Sequence, residues 1–331
     1  MIKIIEKAEW NLNEIQKKSR DEFINWANSN NIVDSIEKCP NCGEKSFSTL
    51  SKVDRFGLNF EALKCNKCKL IITSPQIKEF FLPEYYNKFY HPLIFGETEA
   101  KDYLFDVSQG EKIFNLTYPY IRNKKNLKVF EIGAGSGSNL KGFSDTAIKK
   151  GITCTLKGLE FSENYVKKAS EFGIQLCTES IEQYIKTNDT KYDLIILSHV
   201  FEHVNNLEKF LSSVKKLMNE DTLLYIEVPG VLTLHKNNAY ACNFKRYLVH
   251  AHLYHFTAET LKNILEKNSF KLEYINEMVE SIFRLKSEKS PTATVESNVE
   301  IYLNNLQKYK LFYCIPNILK RIKNKIYKVI K

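Results

Sequence analysis

The sequence predicts an α/β chain: an open, mostly parallel sheet flanked by helices, with a small cysteine-built finger ahead of it. Three observations carry this expectation. From residue 126 onward, apolar strand-like runs alternate with amphipathic helical stretches. Two Cys-x-x-Cys pairs, Cys39/Cys42 and Cys65/Cys68, frame a short β-rich segment. Glycine is scarce at 12 in 331 residues, yet Gly133, Gly135, Gly137 and Gly142 fall within ten positions.

Residues 1–36 read as a polar helical lead-in. Residues 37–75 form the finger, each cysteine pair sitting in a turn with β-like stretches between them. Four thiolates at this spacing point to one structural Zn²⁺ whose coordination positions are all filled, and therefore to no catalysis at that ion. Cys154, Cys177, Cys242 and Cys314 lie among apolar neighbours and read as buried thiols. Residues 76–125 are crowded with aromatic side chains from Phe80 to Phe105, as a helical cap or linker over a neighbouring surface would be.

Residues 126–285 hold the alternating pattern. LKVFEIG, TCTLKGLE, IQLCTE, YDLIILSH and TLLYIEVPG read as strands, each of the first four followed by a helix. HLYHFT, a helix over 258–267 and FKLEYINEM read as the closing elements. Residues 286–331 form a helical basic tail, in which PNILKRIKNKIYKVIK places apolar residues at helical spacing opposite lysines.

VFEIGAGSGS joins a strand to a helix, where backbone amides and the helix amino end meet a ligand. Ser138 stands where a dinucleotide fingerprint would have its third glycine. Glu131, two residues before the first glycine, would repel a diphosphate but suits an ammonium group. Glu160 ends the second strand, where a carboxylate accepts hydrogen bonds from ribose hydroxyls. EIGAGSG, the acid of KGLE and YDLIILSHVFEHV together resemble class I S-adenosylmethionine-dependent methyltransferases over roughly residues 110–280. The resemblance implies a seven-stranded Rossmann-like methyltransferase sheet and S-adenosylmethionine as cofactor. Glu131 and the Gly133–Ala134–Gly135–Gly137 turn would hold its methionine part, Glu160 the ribose and Phe161 the adenine, while Ser198 and His199 would close the pocket beneath the sulfonium.

Finger, aromatic linker and this domain in series are similar to the zinc-finger methyltransferases of bacterial sugar and surface-polysaccharide pathways. CPNCG, DRFGLNFEALKCNKCKLIITSP, YYNKFY and HLYHFT carry the likeness, with Lys69 where glycine is commoner. It implies a nucleotide sugar or a capsule or lipopolysaccharide precursor as acceptor, methylated on oxygen rather than carbon. A sugar hydroxyl needs a base titrating near neutrality, and six of seven histidines lie between 199 and 255. His203, His252 and His255 form the pool from which that base comes. A hard cation on this group would require clustered carboxylates, which the sequence does not display.

No apolar run reaches the roughly 18–20 residues that cross a bilayer, and the amino terminus has no secretory core segment; a cytoplasmic location is expected. The +9 formal charge rests on lysine, with six arginines in all, so no dedicated nucleic-acid reader is expected. The tail would lie on the inner face of an anionic membrane or pack on the body. The sequence is also compatible with two other functions: a zinc-finger RNA methyltransferase, and a non-catalytic module that binds the cofactor.

Overall fold

The computed structural model describes residues 1–97, 106–286, 298–306 and 308. The expected basic helix over 316–331, with Cys314, lies outside the described residues.

The strands, in chain order, are β1 (Val33–Asp34), β2 (Phe47–Ser51), β3 (Glu61–Cys65), β4 (Ile71–Ser74), β5 (Gln76–Ile77), β6 (Asn126–Ile132), β7 (Thr153–Leu159), β8 (Gln175–Cys177), β9 (Leu194–Ser198), β10 (Leu223–Glu227), β11 (Tyr254–His255), β12 (Phe270–Ile275) and β13 (Glu280–Leu285). The principal helices are α1 (Glu14–Asn30), α2 (Ser108–Ile121), α3 (Ser138–Lys149), α4 (Glu163–Glu171), α5 (Ile181–Thr187), α6 (Leu207–Lys215) and α7 (Ala258–Lys267).

Seven strands form the main sheet in the order β12-β13-β10-β9-β6-β7-β8. The five strands from β6 to β10 run parallel, and β13 is antiparallel to both neighbours. Alternation along each strand sorts side chains to two faces. Phe130, Ile195 and Leu197 point into a core shared with α5, α6 and α7, whereas Val129, Leu194 and Ile196 point into one shared with α2, α3 and α4. The closing hairpin is β12–β13.

HLYHFT does something other than close this sheet. Its strand β11 pairs antiparallel with β4, Tyr254 opposite Ile72 and His255 opposite Ile71, so the finger's sheet runs β11-β4-β3-β2. The finger therefore completes itself with a strand about 180 residues downstream. Cys39, Cys65, Cys68, Leu70 and Ile72 share one core with Phe130, Leu197 and Phe201 of the main sheet region.

α1 is set by its ends. Asn13 accepts from Gln16 N–H while the Gln16 side chain accepts from Asn13 N–H, and Asn31 takes the left-handed conformation that stops the helix. Its buried face, Gln16, Ser19, Phe23 and Ala27, packs Phe23 against Phe60, Tyr85 and His250. Between β5 and α2 a broken helical run over 79–95 carries Tyr85, Tyr86, Phe89 and Tyr90.

Gly142 belongs to helix packing rather than to the glycine turn. A Cβ there would lie 2.0 Å from Val107 O, and one at Gly110 would lie 2.1 Å from Asn139 O. α2 and α3 thus meet backbone to backbone. Gly142→Ala is expected to cost about 1–3 kcal/mol by overpacking; an unchanged thermal midpoint would contradict this contact.

Candidate active site

The glycine turn follows β6. Gly133 has φ +70°, and a Cβ on it would strike Val200 Cγ2 at 2.5 Å, so this position needs glycine twice over. Gly135 is also left-handed at φ +53°, but no atom lies within 4 Å of where its Cβ would point. The turn therefore opens a crease at the carboxyl end of the sheet.

Glu131 is fully buried beneath that crease. Its Oε1 accepts from Asn139 Nδ2 at 2.8 Å, and its Oε2 has no partner. Burial pushes its pKa up to about 8. Glu160, just past β7, accepts from Gly135 N–H at 2.9 Å through Oε2 and from Ser162 N–H at 2.8 Å through Oε1. Ala134 N–H is tied to Leu159 O at 2.9 Å. Gly137, also left-handed at φ +78°, caps α3. Phe161 leaves its ring 73% exposed beside Glu160. The structure thus brings Glu131, the turn, Glu160 and Phe161 to one edge. An orphaned carboxylate oxygen in the crease fits a ligand that carries an ammonium group.

Ser198 ends β9 opposite Glu227 of β10. His199 follows with φ +56°, its N–H bonded to Glu227 O at 2.9 Å and its half-exposed ring 3.5 Å (Nδ1) from Glu202 Oε1. Burial lowers its pKa, but the nearby Glu202 carboxylate outweighs that and leaves it raised.

His203 ends the single helical turn Phe201–His203 after β9, with Nδ1 2.9 Å from Ala251 O and 3.1 Å from Tyr86 O–H. A carbonyl only accepts, so Nδ1 carries the proton and Nε2 keeps its lone pair. His252 crosses His203 edge to face with ring centroids 4.8 Å apart, and its buried Nδ1 has no partner. Burial lowers the pKa of both, further for His252.

His255 is set apart within β11. Its Nε2 meets Thr73 Oγ1 at 3.0 Å, its ring centroid is 6.2 Å from that of His252, and burial pushes its pKa down to about 3. Tyr86 and Tyr90 roof the pair, both ring centroids 6.2 Å from His203, with burial and then neighbouring charge raising their pKa values, Tyr90 to about 12.

The four cysteines converge. Their sulfurs lie within 4.8 Å of one another, with Cys39–Cys68 and Cys42–Cys65 each at 3.5 Å. Sulfurs at about 2.3 Å from a tetrahedral ion are about 3.8 Å apart, so the set fits zinc. Lys69 closes the second knuckle at φ +62°, holding as a lysine the left-handed backbone that glycine adopts freely.

Several residues here escape sequence reasoning. Glu202 is buried among the histidines. Arg55 donates to Leu248 O at 3.1 Å and Tyr247 O at 3.0 Å, tying the finger to the segment before β11. Asp54 holds His250 Nδ1 at 2.7 Å while His250 Nε2 meets Tyr85 O–H at 2.9 Å, a fully buried brace. Only the acid at Glu202 had a local signal, its place between His199 and His203.

Three comparisons bear on these features. A family model described as "Methyltransferase domain" matches residues 110–275, half of the chain. The C-methyltransferase NovU of Streptomyces niveus is 23% identical over 148 residues, 44% of this chain and 33% of that protein. The ubiquinone biosynthesis O-methyltransferase of Glaesserella parasuis is 32% identical over 124 residues, 34% of this chain and 50% of that protein. The matches span a third to a half of these relatives' lengths. Among solved structures, the plantazolicin methyltransferase BamL with a desmethyl analogue and SAH is 17% identical at TM-score 0.43, covering 63% of this chain and 78% of that one. The family match embraces the glycine turn, Glu131, Glu160 and the histidine-bearing end of β9. The chain belongs to the methyltransferase domain family.

Proposed function

We propose that this protein transfers a methyl group from S-adenosylmethionine to a hydroxyl of a sugar or sugar-linked group, such as a nucleotide sugar or a capsule or lipopolysaccharide precursor. The single observation that carries the reading is the meeting of two features at one sheet edge. A crease with an orphaned acid, Glu131 Oε2, opens after β6, and the half-buried imidazoles of His203, after β9, and His252, before β11, pack edge to face under an aromatic roof.

The cofactor supplies a methyl already activated by its sulfonium. The chain's part is to align, exclude water and remove a proton. Glu131 would take the ammonium of the methionine moiety, Glu160 would exchange its backbone donors for ribose hydroxyls, and Phe161 would cover the adenine with its exposed ring. Ser198 and His199 would floor the sulfonium region, where β9 ends. His203 would hold its Nε2 lone pair ready, its tautomer fixed by Ala251 O, and His252 would present its unpartnered Nδ1. His255 would support them from β11. Four thiolates would bind one structural zinc in the finger. A cytoplasmic setting fits this substrate class, and no helix among the described residues is long and apolar enough to cross a membrane.

The finger's cysteines share a core with the main sheet, which weighs against a finger free to grip RNA. The ammonium of Lys245 pairs with Glu6, which weighs against its holding an acceptor phosphate.

Two experiments test the reading. Adenosylhomocysteine should bind, and nicotinamide dinucleotide should not; methyl transfer should then be found within a panel of nucleotide sugars and phosphorylated glycan precursors. Binding itself should release protons. With its pKa raised to about 8, Glu131 is mostly protonated at pH 7, and an ammonium placed on it favours the charged form. Calorimetry in two buffers of different ionisation enthalpy is expected to show release of roughly one proton at pH 7, abolished in Glu131→Gln. No proton release would contradict the assignment of Glu131.

A further inference from the structure

Glu202 is one of two buried acids among the described residues that lack a hydrogen bond on a buried oxygen, and the one that lacks it on both. It lies in the single helical turn Phe201–His203, is 1% exposed, and neither carboxylate oxygen has a hydrogen-bond partner. A carboxylate withdrawn from water requires a partner, and a buried charge without one is strongly unfavourable. The groups that approach it are imidazoles, His199 Nδ1 at 3.5 Å and His203 Nε2 at 3.9 Å from Oε1.

His203 cannot supply the missing donor in its neutral form, because Ala251 O fixes the proton on Nδ1. Protonating Nε2 would not mend the arrangement either, since 3.9 Å is too long for a hydrogen bond. His252 adds another orphan, its buried Nδ1. One ligand atom from each of Glu202, His203 and His252 lies within 4.8 Å of the others. With the His252 proton on Nε2, a carboxylate and two imidazoles therefore turn lone pairs toward one another, and His199, 3.5 Å from Oε1, serves neither Oε2 nor the two ring nitrogens. What satisfies all three at once is a cation between them.

We propose that Glu202, His203 and His252 form a second metal site, distinct from the finger's cysteines, for a borderline divalent ion of the zinc, manganese or iron(II) class. Two nitrogens and one oxygen select such ions, whereas magnesium and calcium favour sets made wholly of oxygen. Three protein ligands leave coordination positions open, which is the mark of a working site rather than a structural one. The site faces the roof of Tyr86 and Tyr90, where an acceptor would lie. Its role rests on the methyl-transfer reading. The ion would bind the acceptor hydroxyl and lower its pKa; with the His203 and His252 lone pairs on the ion rather than acting as the base, the O–H proton would pass to the half-exposed His199 or to water, and the oxygen lone pair would form the O–CH₃ bond as the S–CH₃ bond breaks. The existence of the site does not depend on that role.

Cobalt(II) is the probe, because thiolate-bound and thiolate-free cobalt absorb differently. The intact protein titrated with cobalt is expected to take two ions per chain: one showing sulfur-to-cobalt charge transfer, and a weaker one showing only d–d bands. Glu202→Gln and His252→Gln should raise the dissociation constant of the second ion at least about 100-fold, the upper end of what loss of an outer-sphere partner alone costs. Both should keep the charge-transfer bands, which report a folded finger. The proposal is overturned if the unmodified protein takes cobalt in its cysteines alone, or if Glu202→Gln binds the second ion as the parent does. Should Glu202→Gln lose the charge-transfer bands through misfolding, the parent's stoichiometry and His252→Gln decide. Adenosylhomocysteine binding in the same samples separates the two ideas, since a second ion without nucleoside binding would sink the methyl-transfer reading and leave the site standing.

Discussion

Cys65→Ser is expected to lower the stability of the whole chain, not of the finger alone, by about 4–5 kcal/mol, the range reserved for loss of a metal or an equivalent core element. The reason is architectural. Cys39, Cys65 and Cys68 are buried in the same core as Phe130, Leu197 and Phe201, and the finger sheet is completed by β11 from the far end of the sequence. A finger that loses its ion would release β4 from β11 and expose the apolar face shared with the main sheet. Folding of such a small unit is coupled to binding its metal. Thermal or urea denaturation should show the change, and a thiol-mercuration assay should release about one tightly held zinc per chain from the parent and none from the variant. A Cys65→Ser protein that keeps both its zinc and its melting profile would show that the cysteines are merely buried thiols.

Turnover is where His203→Asn and His252→Asn are expected to act, each lowering kcat by on the order of 100-fold or more once the acceptor is identified. Their effect should fall on kcat and on kcat/KM together, with adenosylhomocysteine affinity unchanged, as expected of rings that serve the acceptor rather than the nucleoside. His255→Asn is expected to behave differently. Its Nε2 is engaged with Thr73 inside the finger sheet, so its replacement should appear in the melting temperature before it appears in the rate. Full activity in all three variants would remove the histidines from the chemistry. A loss of cofactor affinity in His203→Asn would instead place that ring in the nucleoside pocket.

Both results turn on side chains whose types were visible in the sequence but whose neighbours were not. Glu202 illustrates the difference. Read along the chain it stands between two histidines with no sign of burial, and the histidine group lacks the clustered carboxylates a hard cation requires. The left-handed backbone at His199 and the short turn after it place Glu202 in the interior beside His203 and His252. HLYHFT illustrates it again. Its apolar–polar alternation marks a strand but cannot say which sheet that strand joins, because pairing is a contact between distant segments. Gly142 falls inside the glycine-rich stretch yet serves α2, since the approach of another backbone leaves no local trace.

By itself the sequence determined the α/β alternation, the glycine turn with its acid, and the two cysteine pairs. These are local matters: hydrophobic period, left-handed backbone positions and short ligand spacing are fixed by residues within a few positions of one another. Only the tertiary structure decided that the finger shares its core with the main sheet, that His255 is engaged with Thr73 inside the finger sheet, and that Glu202 is buried beside His203 and His252 without a hydrogen bond. Those facts arise where segments some fifty to two hundred residues apart are pressed into one interior, and burial there sets the partners and charge of each group irrespective of its neighbours along the chain.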